Sequence, residues 1–227
     1  MKLINTLRVK PWLPQEGSQQ EKGDFHQLND NQAAKTALNF FLTVITVIFF
    51  LFTITFLQRT QSFDFQALSG EPWLPFTDAS MLWQNTGYLL LASITIIIAR
   101  RYAELQHFYA VVFALTATTL FTSLFIIGQF LVWQQLNHAG FYINTNPANS
   151  FYFLLSGIHA LHVLGGVIVL VSCIGIFATT FSYQQLSGRL KLCARYWHYL
   201  FFVWLFLFFL LTSDANTFKT IALICGF

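Results

Sequence analysis

The chain has 227 residues, 56% of them hydrophobic and only 9% charged, with a formal net charge of +3. Ordinary soluble domains carry roughly a quarter charged residues, and a single water-soluble domain must keep a polar exterior, so this composition excludes one. The small net charge also gives no footprint for a nucleic-acid partner, and twenty-seven Phe point to lipid as the solvent.

Residues 1–35 are polar, mix both charge signs and contain Pro11, Pro14 and Gly17. The stretch itself contains no apolar h-region next to its basic residues, so it does not read as a cleavable leader. It is expected to form a mostly irregular arm, read as a flexible tail, with docking through Trp12 and Phe25 as the less favoured alternative. Five apolar segments follow, at residues 36–57, 81–99, 108–133, 151–177 and 196–212. Each approaches the ~20 residues that cross a ~30 Å hydrocarbon core. Between Leu105 and Gly188 there is no Asp, Glu, Lys or Arg. In lipid a spanning segment must satisfy its own backbone hydrogen bonds, so these segments are expected to be helices. The fold class is therefore an all-α integral membrane protein, a five-helix bundle over residues 36–213, with residues 214–227 as a short C-terminal tail.

Loop charge sets the expected orientation. Lys2, Arg8, Lys10, Lys22 and Lys35 precede the first segment. Arg100 and Arg101 follow the second, and Arg189, Lys191 and Arg195 lie in the predicted fourth-to-fifth loop. Only Arg59 and Lys219 fall on the opposite side. The positive-inside rule then places the N-terminus in the cytoplasm and the C-terminus outside. The first outer loop holds Pro72, Trp73 and Pro75; the next is uncharged and rich in Asn and Gly. Trp73, Trp83, Trp133, Tyr142 and Tyr152 sit where segments meet loops and read as headgroup anchors. Cys173, Cys193 and Cys225 show no paired spacing and read as three free thiols.

The fourth segment contains Ser156-Gly157-Ile158-His159-Ala160-Leu161-His162, with Gly165-Gly166 beyond it. His159 and His162 are three apart and so share a helical face. The structural reading is two imidazoles hydrogen-bonded inside a close helix contact, which the glycines and Ala160 allow. The alternative is metal or haem ligation, for which His198 is the available third ligand; no HExxH, CxxC or carboxylate-plus-His set accompanies the pair. None of the nine acidic residues lies inside an apolar segment. Proton pumps and ion-coupled transporters place carboxylates there, so autonomous ion transport is disfavoured. No nucleophile-base set or phosphate-binding loop is present either.

The run from Ser150 to Val163 resembles the "TGxHGxHV" helix of subunit III of cytochrome c and quinol oxidases. Tyr196-Trp197-His198-Tyr199, followed by Val203-Trp204-Leu205-Phe206-Leu207-Phe208, is similar to that family's "YWHFVDVVWLFLF" helix. Leu82-Trp83-Gln84-Asn85-Thr86, and Gly128-Gln129 with Trp133, match weaker patterns of the second and third helices. The resemblance implies the five-helix bacterial form, which lacks the first two helices of the seven-helix one. It also implies a non-catalytic subunit of a proton-pumping haem-copper oxidase, in the bacterial cytoplasmic membrane. Such a subunit packs against subunit I, binds phospholipid in a cleft, and supports proton uptake and resistance to turnover inactivation. Haem and copper belong to partner subunits, and the expected neighbours are subunit I, other oxidase subunits, phospholipid and a respiratory supercomplex. The matching positions Gly157, His159, His162, Tyr196, Trp197, His198 and Trp204 carry over with a structural or lipid-binding role. Two departures stand out: residues 35–58 lack the intramembrane Glu of many members, and Phe201 replaces the Asp of the second motif. No role resting on those carboxylates is carried over. The competing readings are the related accessory subunit of nitric oxide reductase, a haem-b membrane anchor using His159 or His162 with His198, and a solute transporter.

Overall fold

The computed structural model describes the backbone of residues 18–68, 80–180 and 182–225. Among the described residues six helices follow one another: α1 (Ser18–Thr60), α2 (Ser80–Glu104), α3 (Phe108–His138), α4 (Pro147–Thr180), α5 (Tyr183–Thr212) and α6 (Ala215–Cys225). Five have the length and apolarity of membrane spans: Gln32–Thr60, Ser80–Glu104, Phe108–His138, Pro147–Phe177 and Tyr183–Thr212. At a rise of ~1.5 Å per residue each exceeds the ~30 Å hydrocarbon thickness. The chain is a multi-pass, all-α membrane protein.

The helices overrun the apolar segments, because backbone hydrogen bonding continues into the polar flanks. The backbone is already helical at Ser18, within the stretch expected to be irregular; Trp12 and the side chain of Phe25 lie outside the described residues. Arg100 and Arg101 belong to the last turns of α2, and Arg189, Lys191 and Arg195 lie on α5 rather than in a loop. Pro72, Trp73 and Pro75 lie outside the described residues.

The chain divides into two units, residues 1–41 and 42–227. In the second, α2, α3, α4 and α5 form a closed ring in which each helix packs against the next and α5 returns to α2. Neighbours are antiparallel. Asn85 and Thr95 of α2 face Gly128 and Thr118 of α3, and Thr86 and Ser93 of α2 face Trp204 and His198 of α5. Residues 42–60 of α1 reach the α4–α5 side through Phe49 against His162, Phe56 against Phe151, and Thr46 bonded to Tyr199.

The ring has the opposite polarity to a soluble bundle. Its exterior carries Phe113, Leu120, Ile127, Leu161, Ile168 and Phe202, all well exposed, while Asn85, Ser93, Thr118, Thr122, Gln129, Ser156 and His159 are buried. Apolar residues outside and hydrogen-bonding residues inside are what a lipid solvent selects, since lipid cannot satisfy polar groups and gives apolar ones no reason to hide.

Several helix ends are closed by identifiable caps. Asn146 precedes α4; its Oδ1 accepts the Ala148 amide at 3.2 Å, and Pro147 fills the first helical position, where its missing N–H costs nothing. The same Asn146 side chain exchanges two hydrogen bonds with the backbone of Gln66, tying the loop after α1 to the start of α4. Beside this tie an open polar cavity of about 500 Å³ is lined by Arg59, Asp64, Asn144 and Ser150 among others. Arg59 is held there by Asp64 and Ser62.

Candidate functional site

The polar residues inside the ring are not scattered. On α4, Tyr152, Ser156, His159 and Val163 recur at helical spacing, and all four are buried. On α3 the inward face is Thr118, Thr122, Phe125 and Gln129; on α5 it is Trp197, Leu200, Trp204 and Leu207. Three tryptophans join these faces by one device. Trp204 donates its indole N–H to Thr86 at 3.0 Å, Trp133 donates to Ser156 at 3.1 Å, and Trp197 donates to Thr122 at 3.4 Å. Each acceptor hydroxyl spends its own hydrogen on the carbonyl four residues back, at Leu82, Tyr152 and Thr118 respectively. An indole can only donate, and a hydroxyl bonded back along its helix keeps its lone pairs. The pairing therefore satisfies both groups without a charge.

The two histidines of α4 have different surroundings. His159 is fully buried, its ring 5.2 Å from that of Trp204 and edge-on to Phe125 at 5.8 Å. Among the described residues, neither of its ring nitrogens has a hydrogen-bond partner, and the same holds for Asn85 Nδ2 and Gln129 Oε1. His162 is half-buried and donates from Nδ1 to the Ile158 carbonyl of its own helix at 2.8 Å. The structural expectation, two hydrogen-bonded imidazoles, thus needs correction at His159, which is held by aromatic packing, while His162 bonds the Ile158 carbonyl. Its cause is that the residues facing His159 are rings, which offer faces and edges but no lone pairs.

The remaining motif residues form a second layer. Tyr196 is buried and donates its hydroxyl to the His162 carbonyl at 2.9 Å. His198 is half-buried and shares a hydrogen bond between its Nδ1 and the Ser93 hydroxyl of α2. It therefore turns toward α2, while His162 faces Phe49 of α1. Among the described residues, no group of three or more His, Cys, Asp or Glu could hold a metal ion.

Glycine placement is more selective than the sequence suggests. A Cβ on Gly166 would stand 3.0 Å from both the Trp197 and Tyr196 rings, whereas one on Gly165 would meet nothing within 4 Å. At Gly157 it would only touch Trp133, at 4.0 Å. The tightest position is Gly128, where a Cβ would fall 2.0 Å from Asn85 Oδ1. In the sequence Gly128 belongs only to a weak pattern; the following Gln129 is the available hint of a polar helix contact. Tyr152, expected as a headgroup anchor, is instead buried and accepts a hydrogen bond from Gln129 at 3.0 Å, because the helix begins at Pro147 and carries it inward. Trp83 and Tyr142 remain exposed, and Trp133 is half-buried. Cys173 and Cys193, without any sequence signal, are brought together with their sulfurs 3.9 Å apart.

The sequence model of the family "Cytochrome c oxidase subunit III" matches residues 14–213, which takes in all five spans and every residue of the two layers. The chain belongs to the cytochrome c oxidase subunit III family. It is 33% identical to the cytochrome c oxidase subunit 3 of Artemia franciscana over 141 residues, covering 61% of this chain and 53% of that protein. To the probable cytochrome c oxidase subunit 3 of Nocardia farcinica it is 32% identical over 92 residues, 40% of this chain and 45% of that protein. A longer, weaker match reaches the Pisaster ochraceus protein: 26% identity over 190 residues, 81% of this chain and 71% of that one. The chain thus spans about half the length of the first two relatives. For a subunit III the layers above are helix-joining chemistry: they hold α2, α3, α4 and α5 in register and leave the ring's outer surface apolar.

Proposed function

We propose that this chain is the non-catalytic third subunit of a proton-pumping haem-copper terminal oxidase in a bacterial cytoplasmic membrane. It packs directly against subunit I, binds phospholipid on its apolar exterior, and supports proton uptake and lasting activity. Haem and copper reside in partner subunits. The observation that carries this reading is the family match over residues 14–213, which coincides with the five spans. Side-chain contacts between helices favour a structural role: His159 packs between the Trp204 and Phe125 rings, and His198 bonds Ser93 of α2. Gly157, His159, His162, Tyr196, Trp197, His198 and Trp204 act structurally, keeping the lipid-facing surface in shape. The basic bias places the N-terminus and residues 1–35 in the cytoplasm and the tail, residues 214–227, outside.

Affinity purification of the tagged chain from its membrane tests the assignment. Co-purification of a haem-containing partner with cyanide-sensitive oxygen consumption is expected, with the haem spectrum staying with the partner when the subunits are separated. Stoichiometric haem remaining on the separated chain would refute it. For orientation, single cysteines at Gln106 and Gln184 should escape a membrane-impermeant thiol reagent on intact cells, and those at Gln66 and Asn137 should react; all four positions are exposed. The reverse pattern would invert the topology.

A further inference from the structure

Cys173 of α4 and Cys193 of α5 face each other across an antiparallel contact, sulfur to sulfur at 3.9 Å. The register is fixed on both sides: Tyr196 bonds the His162 carbonyl, and Phe177 packs against Tyr183 at 5.3 Å. Both residues are buried, each 4% exposed. Arg189, itself exposed, lies on α5 four residues before Cys193 and so on the same helical face. The two-residue link between α4 and α5 keeps the pair close in sequence as well, twenty positions apart. The helix-joining chemistry of the ring uses neither sulfur.

We propose that Cys173 and Cys193 are a dithiol site that takes a hydroperoxide oxidant and closes to a disulfide, stapling α4 to α5. Cys173 is the attacking sulfur: the α5 face it meets carries the Arg189 cation, one turn from Cys193, which favours its thiolate. Its thiolate attacks the terminal peroxide oxygen; the S–O bond forms as the O–O bond breaks, and the departing alkoxide takes up a proton to leave as the alcohol. The Cys193 sulfur then displaces hydroxide from the sulfenic acid: the S–S bond forms, the S–O bond breaks, and the hydroxide leaves as water with the Cys193 proton. Two thiols and one hydroperoxide thus give one disulfide, one alcohol and one water. The sulfurs must close from 3.9 Å to the ~2.05 Å of a disulfide, a motion within reach of side-chain rotation.

The test uses membranes containing the full chain, treated with tert-butyl hydroperoxide, blocked with N-ethylmaleimide under denaturing conditions, digested and mapped by mass spectrometry. The expected product is one peptide pair linked through Cys173 and Cys193, released by dithiothreitol and retained in Cys225→Ser. In Cys193→Ser the reaction should stop at a sulfenic acid on Cys173, trapped by dimedone. Recovery of both cysteines as separate maleimide adducts, their conversion to sulfinic acids without a link, or linkage of either to Cys225 would overturn the proposal. The linked peptide is read directly in the unmodified chain, so the proposal is decided even if a serine variant does not accumulate.

Discussion

Gln106 and Gly140 hold the same place in two copies of one helix ending. Each is the left-handed residue just past a helix, with φ of 58° and 87°. Behind α2, His107 N–H bonds Tyr102 O and Gln106 N–H bonds Ala103 O; behind α3, Phe141 N–H bonds Leu136 O and Gly140 N–H bonds Asn137 O. This is the Schellman pattern, and in the first copy the customary side-chain contact is present as the Tyr102 ring against His107. Left-handed backbone costs a residue with a Cβ roughly 1–2 kcal/mol, part of which glycine gives back through its freer unfolded chain. Gln106→Gly should therefore stabilise the bundle by about 0.5–1 kcal/mol, and Gly140→Ala should destabilise it by about 1 kcal/mol. Thermal unfolding of the purified protein in detergent reads both; equal and same-signed shifts would contradict the shared motif.

Adding one methyl group at Gly128 or Gly166 should cost far more than adding it at Gly165. The first two sit against Asn85 and against the Trp197 and Tyr196 rings, while Gly165 has open space. Overpacking of this kind costs about 1–3 kcal/mol. Gly165→Ala should be neutral or slightly stabilising, since alanine is the better helix former by about 1 kcal/mol. Melting temperatures of the three alanine variants provide the comparison.

Replacing His159 by an apolar side chain should be tolerated, and shortening it should not. Its nitrogens have no hydrogen-bond partner among the described residues, and its ring packs between Trp204 and Phe125. An apolar group of similar shape removes an unsatisfied polar group, a change that is nearly neutral or stabilising. His159→Leu should hold the melting temperature, while His159→Ala opens a cavity and loses about 2–4 kcal/mol, by analogy with other large-to-small core changes. In the oxidase proposed above, oxygen consumption during the first turnovers should survive His159→Leu. If that variant assembles yet lacks initial activity, the packing role is wrong.

Asp214 should make α6 acid-sensitive. It caps the helix, its Oδ1 accepting the Thr217 backbone N–H at 2.9 Å and the Thr217 hydroxyl as well. Those bonds to the charged form hold its carboxyl below the ordinary value of 3.8. A carboxyl depressed in the folded state contributes stability that is complete above 3.8 and is lost as pH falls from there through the folded value. Hydrogen exchange of the α6 amides should accelerate in that window. Asp214→Asn should remove the pH dependence while keeping an acceptor, and Asp214→Ala should loosen α6 at every pH.

Much of this protein follows from composition and period alone. Five apolar segments of bilayer length, free of charge from Leu105 to Gly188, admit only helices, because lipid leaves the backbone no other partner. The His159–His162 and Tyr196–Trp204 motifs point to the family by residue type and spacing, without any tertiary contact. The interior needed the tertiary structure. Whether a histidine bonds or merely packs depends on what the facing helix presents, and His159 meets two rings. Which glycine matters depends on helix register: Gly166 meets Trp197 while Gly165 beside it meets nothing. The ring places Tyr152 inward, against the position its sequence neighbours suggest, and it alone brings Cys173 to Cys193. Local spacing fixes which residues share a helical face. The partner of that face is set by how four helices close a ring, and no single segment encodes that.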